Sequence, residues 1–390
     1  MNRYAAAAGL SLLVGAAVAI WLALTSSALA TVDLGLWLGN GAAGFLAAGV
    51  GMEILRPGPA GASRRPTAIY LWSVIAGLAL LSLPASGVTA VAVAHRLGWL
   101  AVAVAAADYA YLAWWRTPVL GRPPEAFSDL LAPGGLPGRI DSARDAVARA
   151  LVAAGPAYLF LVAVAGVGNG SVLPSRSETL LLYGWLASLT LGGALYIWPR
   201  MLAQPAGSKH LARWGAALWH AGLILSVISL RPWLLAVTGL GGLMLLADLA
   251  PTLRGVLRSR PYVVGSRRRF PKLGVRLGLA LAGLLLLAID LSPLFPHGLL
   301  APRVLSVAFA IAANLTLVHH LRPVFGAQMV RARGGFMPSV LALASLGIWA
   351  IPRAFAAAVA LASIYLAASW LPGLPLKPQR REERRSRQRG

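Results

Sequence analysis

A small set of polar residues interrupts otherwise apolar stretches of this sequence, and intramembrane chemistry would have to come from them. Asp108 stands in Ala105-Ala106-Ala107-Asp108-Tyr109, and Asn40, His220, Asp248, Asp290, Asn314, His319 and His320 complete the set. Polar groups in apolar surroundings are costly to bury, so each needs a partner or a function. His220, His319 and His320 are candidate cofactor-binding residues, because an imidazole nitrogen can ligate haem iron or copper. The alternative for each is an interhelical hydrogen bond or an interface anchor. His319 and His320 are adjacent and point to different faces of a helix. Asp108 is a candidate proton-relay group or the partner of an intramembrane arginine. Its alternative is a hydrogen bond to its neighbours Tyr109 or Tyr111, or to a buried water. The chain has no cysteine, which excludes disulfides, thiolate metal sites and c-type haem attachment.

The elements that carry these residues follow from composition. The chain is 58% hydrophobic and 12% charged, with a mean hydropathy of +0.71. That is too much apolar surface for a water-soluble core. The apolar residues fall in runs long enough to cross a hydrocarbon layer of ~30 Å as helices. Backbone groups in lipid must be satisfied within the segment, so the fold class is all-α, a polytopic membrane helical bundle. The runs lie at 5–30, 34–54, 67–88, 97–115, 147–168, 179–199, 214–230, 232–250, 277–294, 303–322, 337–352 and 354–371, giving about twelve transmembrane helices. The first ends in Ala28-Leu29-Ala30, which mimics a leader-cleavage site. Its apolar stretch is longer than a leader needs, and we read it as an uncleaved helix.

A net charge of +23 invites a nucleic-acid reading, but the charges sit in the short gaps between apolar runs. There they set topology. With the N-terminus inside, Arg96, Arg176, Arg231, Arg303 and Arg353 fall outside and every other arginine and lysine falls inside. Both termini are therefore expected to be cytoplasmic, in a bacterial cytoplasmic membrane, with no nucleic acid as partner. The expected organisation is a single transmembrane domain over 1–371 and a basic disordered cytoplasmic tail over 372–390. The tail is suited to anionic lipid headgroups. The longest loop, 116–146, is Pro/Gly-rich and has room for a short interfacial helix near 125–131. Trp114, Trp115, Trp198 and Trp370 read as interface anchors. Gly41, Gly44, Gly49 and Gly51 are spaced for close helix packing. Aligning Gly41 with Gly184 also brings Gly49 onto Gly192 and Arg56-Pro57 onto Pro199-Arg200, a weak internal echo.

The stretch 180–230 carries Gly184-Trp185, Gly192, Pro199-Arg200 and Leu211-Ala212-Arg213-Trp214. In that order it resembles the catalytic subunit of the haem–copper oxidases, especially the cbb-type and nitric-oxide-reductase branch. The stretch 303–331, with its small-residue helix and Phe325-Gly326, is similar to the NnrS family of twelve-span proteins. The resemblance implies that architecture, and it implies haem, copper or nitric-oxide metabolism as the setting. In the oxidases, histidines seven and five residues before the Gly-Trp hold haem. Those places here are Ser177 and Thr179, and the NnrS-like histidine place is Arg303. The second span offers Asp33, Gly35 and Trp37, with no histidine. A non-catalytic or accessory protein, with a possible membrane-protein partner, is the expectation. A secondary transporter using Asp108, Asn314 and Asn40 is the first alternative. The second is a polyprenol-linked sugar-processing enzyme, for which Asp33 lacks a second carboxylate.

Overall fold

A computed structural model describes residues 2–25, 36–45, 48–49, 51, 65–83, 89–115, 142–169, 177, 179–201, 207–229, 231–258, 262–264, 267–269, 344 and 351–370. The expected runs 277–294, 303–322 and most of 337–352 lie outside the described residues. So do the expected interfacial helix near 125–131 and the tail 372–390. Helix α1 spans Asn2–Thr25, α2 Arg65–Leu81, α3 Thr89–Trp115 and α4 Ser142–Asn169. Then come α5 Ser188–Met201, α6 Lys209–Ser229, α7 Leu235–Leu257 and α8 Pro352–Trp370. Two π-helices interrupt the series, the first at Leu36–Ala43 and the second at Leu180–Ala187, the latter running directly into α5.

Five of the helices are long and apolar enough to cross a membrane, over Ala7–Thr25, Thr89–Trp114, Arg144–Gly168, Lys209–Ser229 and Leu235–Gly255. Shorter apolar helices occupy Ala68–Leu81, Leu180–Tyr196 and Arg353–Ala367. Long apolar side chains, among them Leu24, Trp72, Ile228 and Leu361, face outward. That suits a lipid surround and would be untenable in water. The described residues are thus almost wholly helical, and the chain is a multi-pass membrane protein.

One departure from an all-α chain is a small antiparallel hairpin, β1 Tyr262–Val264 and β2 Arg267–Arg269, paired Val263 to Arg268. Helix starts also lie earlier than the apolar runs suggest, at α6 (Lys209 rather than 214) and at α3 and α4. Helix α3 begins at Thr89 rather than 97, which takes in His95 and Arg96. Helix α4 begins at Ser142 rather than 147. In each case the backbone ladder continues past the end of the apolar stretch.

Packing follows a repeated plan. Helix α1 lies against the first π-helix, and α4 against the second; α2 pairs with α3, and α6 with α7. Helix α3 then packs on α4, and α8 packs back on α1. Both hairpin pairs close through glycine. A Cβ on Gly77 would stand 2.9 Å from the Gly98 carbonyl oxygen, and one on Gly215 2.9 Å from that of Gly241. The same interval separates Gly98 from Gly241 as separates Gly41 from Gly184. In element order, each π-helix follows one long helix and precedes a pair of packed helices.

Candidate functional site

The second π-helix organises a polar cluster in the described interior. A π turn holds an extra residue, which displaces carbonyls from their usual donors. Ser188 answers this locally: its hydroxyl donates to the Tyr183 carbonyl at 3.0 Å and accepts from Trp219 Nε1 at 3.0 Å. The Trp219 ring meets Tyr183 edge-on at 6.1 Å. The next residue of α6, His220, stacks on Tyr158 of α4 with ring planes 17° apart, and Tyr158 Oη is hydrogen-bonded to His220 Nδ1 at 2.9 Å. Tyr158 reaches that position across Gly184, where a Cβ would stand 2.7 Å from the Tyr158 Cβ. The first π-helix repeats the device, since a Cβ on Gly41 would stand 2.9 Å from Ser11 Oγ of α1.

His220 Nε2 is buried and has no hydrogen-bond partner among the described residues. With Nδ1 engaged by Tyr158, it has the orientation that an outer partner gives to a ligating imidazole. No second histidine faces it among the described residues. The nitrogen is enclosed by protein, and the apolar cavity described below is lined by other residues. Ser177 is buried, and Thr179 immediately precedes the second π-helix; both offer hydroxyls, which are not usual haem ligands. No group of three or more His, Cys, Asp or Glu that could hold a metal ion occurs among the described residues. His319, His320, Asn314, Asp290 and Arg303 lie outside them, as does the side chain of Asn40, whose backbone is in the first π-helix.

Asp108 lies on α3, half-buried. The main chain of Tyr70 on α2 hydrogen-bonds to the carboxyl, and Oδ2 is buried with no hydrogen-bond partner among the described residues. Tyr109 donates to the Ala48 carbonyl at 3.4 Å and joins a row of rings. Phe45 and Tyr70 are 6.5 Å apart, Tyr70 and Tyr109 5.5 Å, and Tyr109 and Trp185 5.9 Å. Beside this row is a small apolar cavity of ≈ 20 Å³ where α2, α3, α4 and the second π-helix meet. Trp99 and Trp185 line it.

Sequence reasoning treated Arg144 as a loop cation and left Asp248 without a partner. The structure brings them together across α4 and α7. Arg144 Nε donates to Asp248 Oδ2 at 2.8 Å and Nη2 to Oδ1 at 2.5 Å, with the side chains 8% and 0% exposed. The Gly207 amide, in the turn between α5 and α6, donates to the Asp248 carbonyl at 2.8 Å. A usable signal was present. Ser142 followed by Asp145 in the first turn marks a helix start. His95 was also missed: it is buried, and its Nε2 donates to the Leu83 carbonyl at 2.8 Å, tying the end of α2 to α3.

No protein-family model, curated protein or solved structure matches this chain.

Proposed function

We propose that this chain is a divergent, non-catalytic relative of the twelve-span architecture that residues 180–230 resemble, serving as an accessory or binding protein in the setting of haem, copper or nitric-oxide metabolism. The observation that carries this is a division of labour among the matched residues. Those that build the interior are kept and used: Gly184 seats Tyr158, and Trp185 packs on Tyr109. Those that would carry redox chemistry are Ser177, Thr179 and Arg303. In this reading about twelve helices cross a bacterial cytoplasmic membrane with both termini inside, and the basic tail lies on anionic headgroups. The test is an absorption spectrum and metal analysis of the protein purified in detergent. Little or no haem Soret absorbance is expected. A stoichiometric Soret band lost in His220→Ala or His320→Ala would replace this reading with that of a haem protein.

A second reading, a secondary transporter, is favoured by the two π-helices, at Leu36–Ala43 and Leu180–Ala187. Interrupted helices in corresponding positions are where such proteins hold substrate. Asp108, whose Oδ2 has no hydrogen-bond partner among the described residues, supplies an intramembrane polar group. Thermal stabilisation by one compound in a metabolite panel, abolished by Asp108→Asn, would support it. A flat response across the panel would remove it.

A further inference from the structure

The Arg144–Asp248 pair sits at a weak point of α7. Pro251 lies three residues beyond Asp248, inside the helix. Proline has no amide hydrogen, so the carbonyl four residues earlier, that of Ala247, loses its helical donor and the helix can bend there. At the same level α7 is gripped from two sides. Arg144 forks onto the Asp248 carboxylate, and Gly207 donates to the Asp248 carbonyl. Gly207 reaches it because nothing larger fits: a Cβ there would stand 2.9 Å from that carbonyl oxygen and 3.1 Å from Asp248 Oδ1. Thr252, one turn past Asp248 and beyond the proline, is fully buried.

We propose that Arg144–Asp248 is a releasable clamp on a proline hinge. Closed, it holds α4, the α5–α6 turn and α7 together at the end of the bundle where the basic β1–β2 hairpin follows α7. Open, it lets α7 beyond Pro251 swing from α4 and admits water to Thr252. The physical case rests on what a sealed ion pair is good for. Its attraction is largely offset by the loss of water around both charges, so an apolar contact would hold two helices as firmly. A bidentate charge pair adds a defined geometry that is either made or broken. A hinge beside it gives the broken state somewhere to go. This clamp does not depend on either functional reading.

The chain has no cysteine, so a single introduced thiol reports on one place. Thr252→Cys is made in the full-length protein in inside-out and right-side-out vesicles and titrated with a membrane-impermeant maleimide. Expected is slow labelling, from one vesicle orientation alone. Labelling becomes at least about tenfold faster when Asp248→Asn shifts the local opening equilibrium. The exchange Arg144→Asp with Asp248→Arg should return it to the slow rate. A thiol at the exposed Ser208 should label equally in all three backgrounds. An unchanged Thr252→Cys rate in a folded Asp248→Asn protein overturns the clamp. Hydrogen exchange of the unaltered chain decides the matter if the variant does not fold. Residues 252–257 opening as one block ahead of 235–247 supports the hinge, whereas graded fraying from the helix end overturns it.

Discussion

Tyr158 lies across Gly184, so that the only residue type that fits at position 184 is one with no side chain. The contact is what brings the Tyr158 hydroxyl to His220 and α4 to the second π-helix. Gly184→Ala should therefore be destabilising by ~1–3 kcal/mol, the cost of forcing an extra methyl into a filled interior. Thermal unfolding in detergent reads this. The penalty should shrink in a Tyr158→Ala background, because the two residues share one space. Equal penalties in both backgrounds would mean that Gly184 is needed for something other than Tyr158.

Ser188 serves two buried groups at once, Trp219 Nε1 and the Tyr183 carbonyl. Ser188→Ala strands the Trp219 indole N–H, at ~1–3 kcal/mol. Trp219→Phe strands neither Tyr183 nor any indole N–H, so it should cost less in hydrogen bonding and more in packing. Near-UV circular dichroism alongside unfolding separates the two. A neutral Ser188→Ala would show that the π turn satisfies itself.

Asp248→Asn or Arg144→Gln removes one half of a sealed pair and should cost ~3–5 kcal/mol, whereas replacing both by leucine should recover most of the loss. Detergent-resistance half-lives of the three proteins provide the comparison. If the double replacement is as damaged as the singles, the pair itself is the source of stability.

Helix α6 is 21 residues long, and both flanking positions Ser208 and Arg231 are exposed. Single thiols at these two places should react with an impermeant reagent from opposite faces, with position 208 on the cytoplasmic side. Labelling of both from one side would show that α6 does not cross and would redraw the topology.

Much of this architecture was legible in the residues. Apolar runs located the described helices, because a lipid-facing segment must be apolar along most of its length. The echo between Gly41 and Gly184 pointed at the segments that turned out to be π-helical. That they are π-helical was not readable, since one extra residue in a turn changes no composition. The helix starts failed where Arg96 and Arg144 broke the apolar pattern while the backbone ladder went on. For Asp108 the sequence leaves a neighbouring tyrosine, an arginine or a buried water open as partner. Its partner is the main chain of Tyr70, which no side-chain pattern records. Asp248 was recognisable as a buried charge, but which of many arginines answers it is a matter of packing.

The contact of α8 with α1 has a consequence for biosynthesis. The two helices come from opposite ends of the described chain. As the nascent polypeptide enters the membrane, α1 is delivered early and its mate late. The face of α1 that α8 covers in the finished protein must meanwhile sit against lipid or an insertion factor. Final docking of α1 is therefore a post-insertion event, and an interrupted chain would present that face to degradation machinery as unfinished.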